Sequence, residues 1–178
     1  IAIIITIMVL ELKVPEGAGI HDLKPLLPVF LSYVLSFIYV GIYWNNHHHM
    51  MHAAHLVNGK ILWANMHLLF WLSLTPFTTA WMGENHFDTW PSVAYGFVLL
   101  MSGIAYYILS RSLITAHGKN STLAVAIGRD RKGILSVVIY MIAIGCAFIH
   151  TAISLTLYAA VAAIWFIPDS RIEKNIAK

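Results

Sequence analysis

The chain has 178 residues, 59% hydrophobic and 11% charged, against roughly 25% charged in soluble domains, so a water-soluble globular fold is excluded and the chain is an integral membrane protein. Its net charge of +3 is no nucleic-acid footprint, because the basic residues lie between and after apolar runs, as determinants of membrane topology do. A single cysteine, Cys146, inside an apolar run, allows no intrachain disulfide.

The chain opens with IAIIITIMVLELKVP, an almost wholly apolar run ending in a charged turn. At about 1.5 Å per residue, residues 1–12 reach only about 18 Å against a hydrocarbon core of about 30 Å. The chain is therefore expected to begin inside a transmembrane helix. The run has no basic leader or small-residue cleavage site, so it does not read as a signal peptide. At helical spacing Ile3, Thr6, Ile7 and Leu10 share one face. Two readings of Thr6 stand: its hydroxyl bonds the carbonyl one turn back, or it faces a polar path.

Further apolar runs cover residues 25–44, 61–81 and 91–109, followed by a polar, basic connection over 111–132. Residues 133–167 contain no Asp, Glu, Lys or Arg, and at about 50 Å as one helix they are too long for one span. Two helices with a turn near 145–151 are expected, the last stopped by Pro168-Asp169. That makes six spans in one all-α domain over 1–178, with both termini on the same side. If that side is cytoplasmic, the inner segments hold Lys60, Arg111, Lys119, Arg129, Arg131, Lys132, Arg171, Lys174 and Lys178, and the outer ones only Lys13 and Lys24. This asymmetry obeys the positive-inside rule.

The segment YWNNHHHMMHAAH sets His47, His48, His49, His52 and His55 at the inner end of the second span. His48 and His52 are one helical turn apart, and so are His52 and His55, which suits a metal site on one face. The competing reading is a hydrogen-bonded network with Asn45, Asn46 and Asn65. Membrane histidine enzymes use several such boxes, whereas only His67 and His150 lie in other apolar runs, without a carboxylate. In the third span Pro76 frees a carbonyl that Thr78 and Thr79 can satisfy. Trp81, Trp90 and Tyr95 read as an outer aromatic belt, with Trp44 and Trp63 as its inner counterpart. There is no nucleophile triad, no phosphate loop, no buried carboxylate for proton coupling and no TVGYG filter.

Three stretches together, IAIIITIMVLELKVP, YWNNHHHMMHAAHLVNGKILWANMHLLFWLSLTPFTTAWMGEN and WFIPDSRIE, resemble the bacterial branch of the transmembrane protein 175 family of potassium channels. The resemblance runs over essentially the whole chain. It implies a homotetramer of six-helix subunits in the bacterial inner membrane, with both termini cytoplasmic and the first helix of each subunit lining a central pore. Potassium ions are the implied permeant species and no cofactor is implied. Carried onto this sequence, the constriction falls on Ile3, with Thr6, Ile7 and Leu10 along the same pore-facing stripe. The family's RxxxFSD signature belongs immediately before Ile1, allowing one or two residues between, so an N-terminal segment is expected to be missing here. In such proteins that signature packs against the inner ends of the second and third helices, which makes His48, His52, His55, Trp63 and Asn65 a structural network there. The alternatives are a membrane metalloenzyme or haem protein liganded by the His47–His55 cluster, and a regulatory membrane subunit without transport.

Overall fold

A computed structural model describes residues 1–15, 17–118 and 131–166. The basic residues of 119–130, the Pro168-Asp169 stop and the basic tail lie outside the described residues. Every regular element described is a helix.

Helix α1 (Ala2–Leu10) ends where Glu11 and Lys13 follow, and Pro15 bars continuation. It buries only Ile4 and Met8. A 3-10 turn at Ile20–Leu26, where the Gly19 N–H donates to Asp22 Oδ2 at 2.9 Å, leads into α2 (Leu27–His52). Helix α2 has 26 residues, about 39 Å at the standard rise, and outruns the expected end at residue 44. No glycine or proline interrupts residues 45–52 to stop it.

The third span is one rod broken in two, α3 (Gly59–Ser73) and α4 (Thr75–Glu84). Asn58 caps α3 by accepting from the Ile61 N–H at 3.1 Å. The break falls at Leu74 because Pro76 has no N–H to continue the ladder. Thr79 donates to the Thr75 carbonyl at 2.6 Å, and the Thr78 hydroxyl lies 3.3 Å from those of Leu74 and Thr75. The carbonyl that Pro76 leaves without its N–H is that of Leu72, four residues back, so these hydroxyls bond other carbonyls than the one expected.

Helix α4 ends in a Schellman turn: the Phe87 N–H returns to the Met82 carbonyl at 2.9 Å, with His86 and Phe87 at φ 51° and 62°. Asp88 then caps α5 (Thr89–His117). Arg111, expected in a loop, is on this helix, its guanidinium 5.2 Å from the Tyr107 ring centre. Helices α6 (Arg131–Ala147) and α7 (Thr151–Phe166) form a hairpin turning at residues 148–150, inside the expected window.

The six rods are thus α1, α2, the α3/α4 pair, α5, α6 and α7. Helix α5 is the shared spine: it packs against α3 on one side and α6 on the other, while α2 packs on α4. One apolar core joins Ile4 and Met8 of α1 to Val40, Leu68, Leu72, Ala105 and Leu109; the second is built around Tyr39, Met82, Tyr95, Tyr140 and Tyr158. Close approach depends on missing side chains. A Cβ on Gly83 would stand 2.7 Å from the Val29 Cα, and one on Gly96 would collide with the Tyr158 hydroxyl.

Tyr95 departs from the aromatic-belt expectation. It is fully buried, its hydroxyl 3.1 Å from Ser36 Oγ, whereas Trp81 and Trp90 are exposed. An alternating aromatic at a helix start does not reveal which face carries it.

Candidate functional site

Helix α1 has two unlike faces. Ile4 and Met8 are 8% and 2% exposed, while Ile3 and Leu10 are 74% and 76% exposed and Ile7 44%. Thr6 lies on the exposed side, its hydroxyl donating to the Ala2 carbonyl at 3.2 Å. Both readings of Thr6 are compatible in this geometry, because a hydroxyl that donates to the backbone keeps lone pairs to offer. The four stripe residues chosen by periodicity are among those the subunit's own fold leaves uncovered, together with Ala2 and Val9. Helix α1 leans on α4 and α2 through its other face.

Just beyond α1, the Lys13 ammonium sits 2.9 Å from Glu84 Oε1 at the end of α4. The hydrogen bond to Glu84, then its charge, with a smaller push from Glu11, raises Lys13 above the ordinary lysine pKa. Sequence reading missed this pair, since nothing local links positions 71 residues apart.

At the other end of the bundle, the last turns of α2 carry four of the five clustered histidines. His47 Nε2 lies 2.7 Å from Asn65 Oδ1 on α3, and since an amide oxygen only accepts, this ring nitrogen donates. His48 stacks on Trp44, with ring centres 5.7 Å apart, and lies 6.2 Å from the His52 ring. Trp63 is 78% exposed.

His55 is off the helix, which ends at His52, so the expected face carrying His48, His52 and His55 together does not form. Instead the backbone N–H groups of His55 and Leu56 donate to His117 Nε2 at 2.9 and 3.0 Å, and His117 Nδ1 faces the Leu113 carbonyl at 2.9 Å. His117 thereby pins the α2–α3 loop to the end of α5, a role with no spacing signal in the sequence.

His67 accepts from Trp71 Nε1 at 2.9 Å, and His150 belongs to the α6–α7 turn, its ring accepting from the Ala152 N–H. Among the described residues no group of three or more His, Cys, Asp or Glu is arranged to hold a metal ion. The histidines work as hydrogen-bonding and stacking groups where the structure describes them.

Known proteins share this arrangement. Residues 1–76 match the family described as the endosomal/lysosomal potassium channel TMEM175. A potassium channel from Chryseobacterium sp. is 54% identical over 176 residues, covering 99% of this chain and 92% of the relative. The chain belongs to the TMEM175 family of potassium channels. A second potassium channel, from Streptomyces collinus, is 28% identical over 61% of this chain and 56% of its own length. A third, from Chamaesiphon minutus, is 31% identical over 65% of this chain and 61% of its own length. The crystal structure of a lysosomal potassium-selective channel TMEM175 homolog from Chamaesiphon minutus superposes with a TM-score of 0.81. At 23% identity, covering 93% of this chain and 90% of that one, it shows the shared fold. Membership makes this chain a membrane-embedded potassium channel of six helices, not an enzyme.

Proposed function

We propose that four copies of this chain surround a pore lined by their α1 helices, with Ile3 as the constriction and Thr6, Ile7 and Leu10 along the same path. The observation that carries this reading is the two-faced α1, anchored through Ile4 and Met8 and uncovered along Ile3, Thr6, Ile7 and Leu10. Ile3, Ile7 and Leu10 suit lipid as well as a narrow path, and the Thr6 hydroxyl among them is the feature that favours a path for ions.

Four Ile3 side chains around an axis make a ring that dewets when narrow and offers an ion nothing in place of its hydration shell. Thr6 oxygens one turn on supply weak ligands to a partly dehydrated cation. Potassium sheds water more readily than sodium, so such a path favours potassium without a TVGYG loop. No resident cofactor is needed. His48, His52, His55, Trp63 and Asn65 serve this reading as scaffold at the inner helix ends. The excess of Lys and Arg on one set of connections supports cytoplasmic termini, and the likeness to a bacterial potassium channel supports the bacterial inner membrane.

Cysteine scanning tests the lining, because Cys146 is the sole native thiol. Ile3→Cys, Thr6→Cys, Ile7→Cys and Leu10→Cys channels should be blocked by a membrane-impermeant cationic thiol reagent, while Ile4→Cys and Met8→Cys channels stay open. Block at positions 4 and 8 alone would contradict the assignment.

A further inference from the structure

Over the described residues helix α1 meets the bundle through apolar side chains, the buried Ile4 and Met8 and the partly buried Ile1 and Ile5. Apolar contacts of this kind resist separation but hardly resist sliding or tilting, being non-directional. Among the described residues, the polar tie from residues 1–15 to another helix is the Lys13–Glu84 pair at 2.9 Å.

Its two ends differ in how firmly they are held. Glu84 is the last residue of α4, fixed by the Schellman bonds to Met82 and Gly83 and by the close contact of Gly83 with Val29 on α2. Lys13 is three residues past the end of α1, on irregular backbone.

Electrostatics explain why a cation belongs here. Glu11 immediately follows α1 and Glu84 ends α4, so each helix has a carboxylate at its C-terminus, where the backbone dipole already concentrates negative charge. Lys13 offsets both carboxylates and both dipole ends at the place where the two helices converge.

We infer that Lys13 is a positioning residue that holds the outer end of α1 against α4 through Glu84, and so biases the pore between conducting and closed states. This rests on the proposed pore-lining role of α1. The pair is exposed, with side chains 75% and 48% accessible. Exposed pairs hold weakly and are screened by salt, so the bias is at most about fivefold in the open-to-closed ratio. A weak clasp of this size permits movement.

The test uses full-length channels in planar bilayers with symmetric potassium chloride. Lys13→Met and Glu84→Gln should each shift the open-to-closed ratio about two- to fivefold in the same direction. The exchanged pair, Lys13→Glu with Glu84→Lys, should return it toward wild type, and the differences should shrink in molar salt. Matched elution and melting of the variants in detergent establish that each has folded.

Unchanged open probability in both single variants overturns the inference. So does an altered unit conductance that the exchange fails to restore, since the charges would then act on passing ions rather than on each other. The Ile3→Asn channel, recorded in parallel under a potassium–sodium gradient, separates the two levels. A changed reversal potential there with wild-type Lys13 variants removes only the clasp, while an unchanged one removes the pore reading and the clasp with it.

Discussion

Ile3 and Ile4 are neighbours in the chain and opposites in the fold, one 74% and the other 8% exposed. Ile4 joins the core with Leu68, Leu72 and Leu109, whereas Ile3 has no cover from its own subunit. In the proposed pore the same side chain has two jobs one residue apart, and substitution separates them. Ile3→Asn should wet the constriction and erode the potassium-to-sodium permeability ratio while leaving thermal stability near wild type. Ile4→Ala should keep the ratio and lose about 2–4 kcal/mol, the ordinary cost of a buried large-to-small change. Bi-ionic recordings and detergent melting of the two variants check this.

Gly83 sets how closely α4 approaches α2. A methyl there would meet Ser32 Oγ at 2.5 Å and the Val29 Cα at 2.7 Å, and the second is backbone that cannot rotate away. Gly83→Ala should therefore cost about 1–3 kcal/mol through forced separation of the helices, despite alanine's better helix propensity. Unaltered melting would show that the helices part freely.

A buried hydroxyl chain ties three helices together. Thr79 Oγ1 lies 2.6 Å from the Thr75 carbonyl and 2.7 Å from Ser36 Oγ, which lies 3.1 Å from the Tyr95 hydroxyl. Each hydroxyl has one proton, so when Thr79 donates to the carbonyl it accepts from Ser36, and Ser36 accepts from Tyr95. Thr79→Val keeps the shape and breaks the run, and should destabilise by about 1–2 kcal/mol. Thr79→Ser should recover most of that in the same melting experiment.

His86 occupies the left-handed position of the α4 terminus, at φ 51°. That conformation costs an L-residue about 1 kcal/mol or more, and glycine's greater freedom in the unfolded chain offsets part of the relief. His86→Gly should raise stability by about 0.5 kcal/mol, and a fall in melting temperature would mean that the imidazole makes a compensating contact.

Much of the architecture is legible in composition and spacing. Six apolar runs, the proline break at Pro76 and the hairpin between α6 and α7 follow from hydropathy and backbone chemistry, and the α1 stripe follows from helical period. Helix ends were harder to read. Helix α2 runs on to His52 and α5 to His117 because no breaker lies where polarity begins, so polarity marks a membrane boundary rather than a helix boundary. That difference separates His55 from the His48–His52 face.

The long-range pairs were not legible. Lys13 with Glu84, His117 with the His55 and Leu56 backbone, and Ser36 with Tyr95 depend on which helices become neighbours, and residue type alone does not encode that. Tyr95 shows the same limit: an aromatic at the start of a span suits the membrane boundary and the core equally, and only the packing of α2 and α7 against α5 decides.

The most direct measurement is the reversal potential of the purified full-length channel in a planar bilayer, with potassium on one side and sodium on the other. A potassium-selective path without a carbonyl-lined filter predicts a reversal displaced toward the potassium equilibrium potential, and the displacement should collapse in Ile3→Asn. A current reversing near zero in the wild-type channel would contradict it.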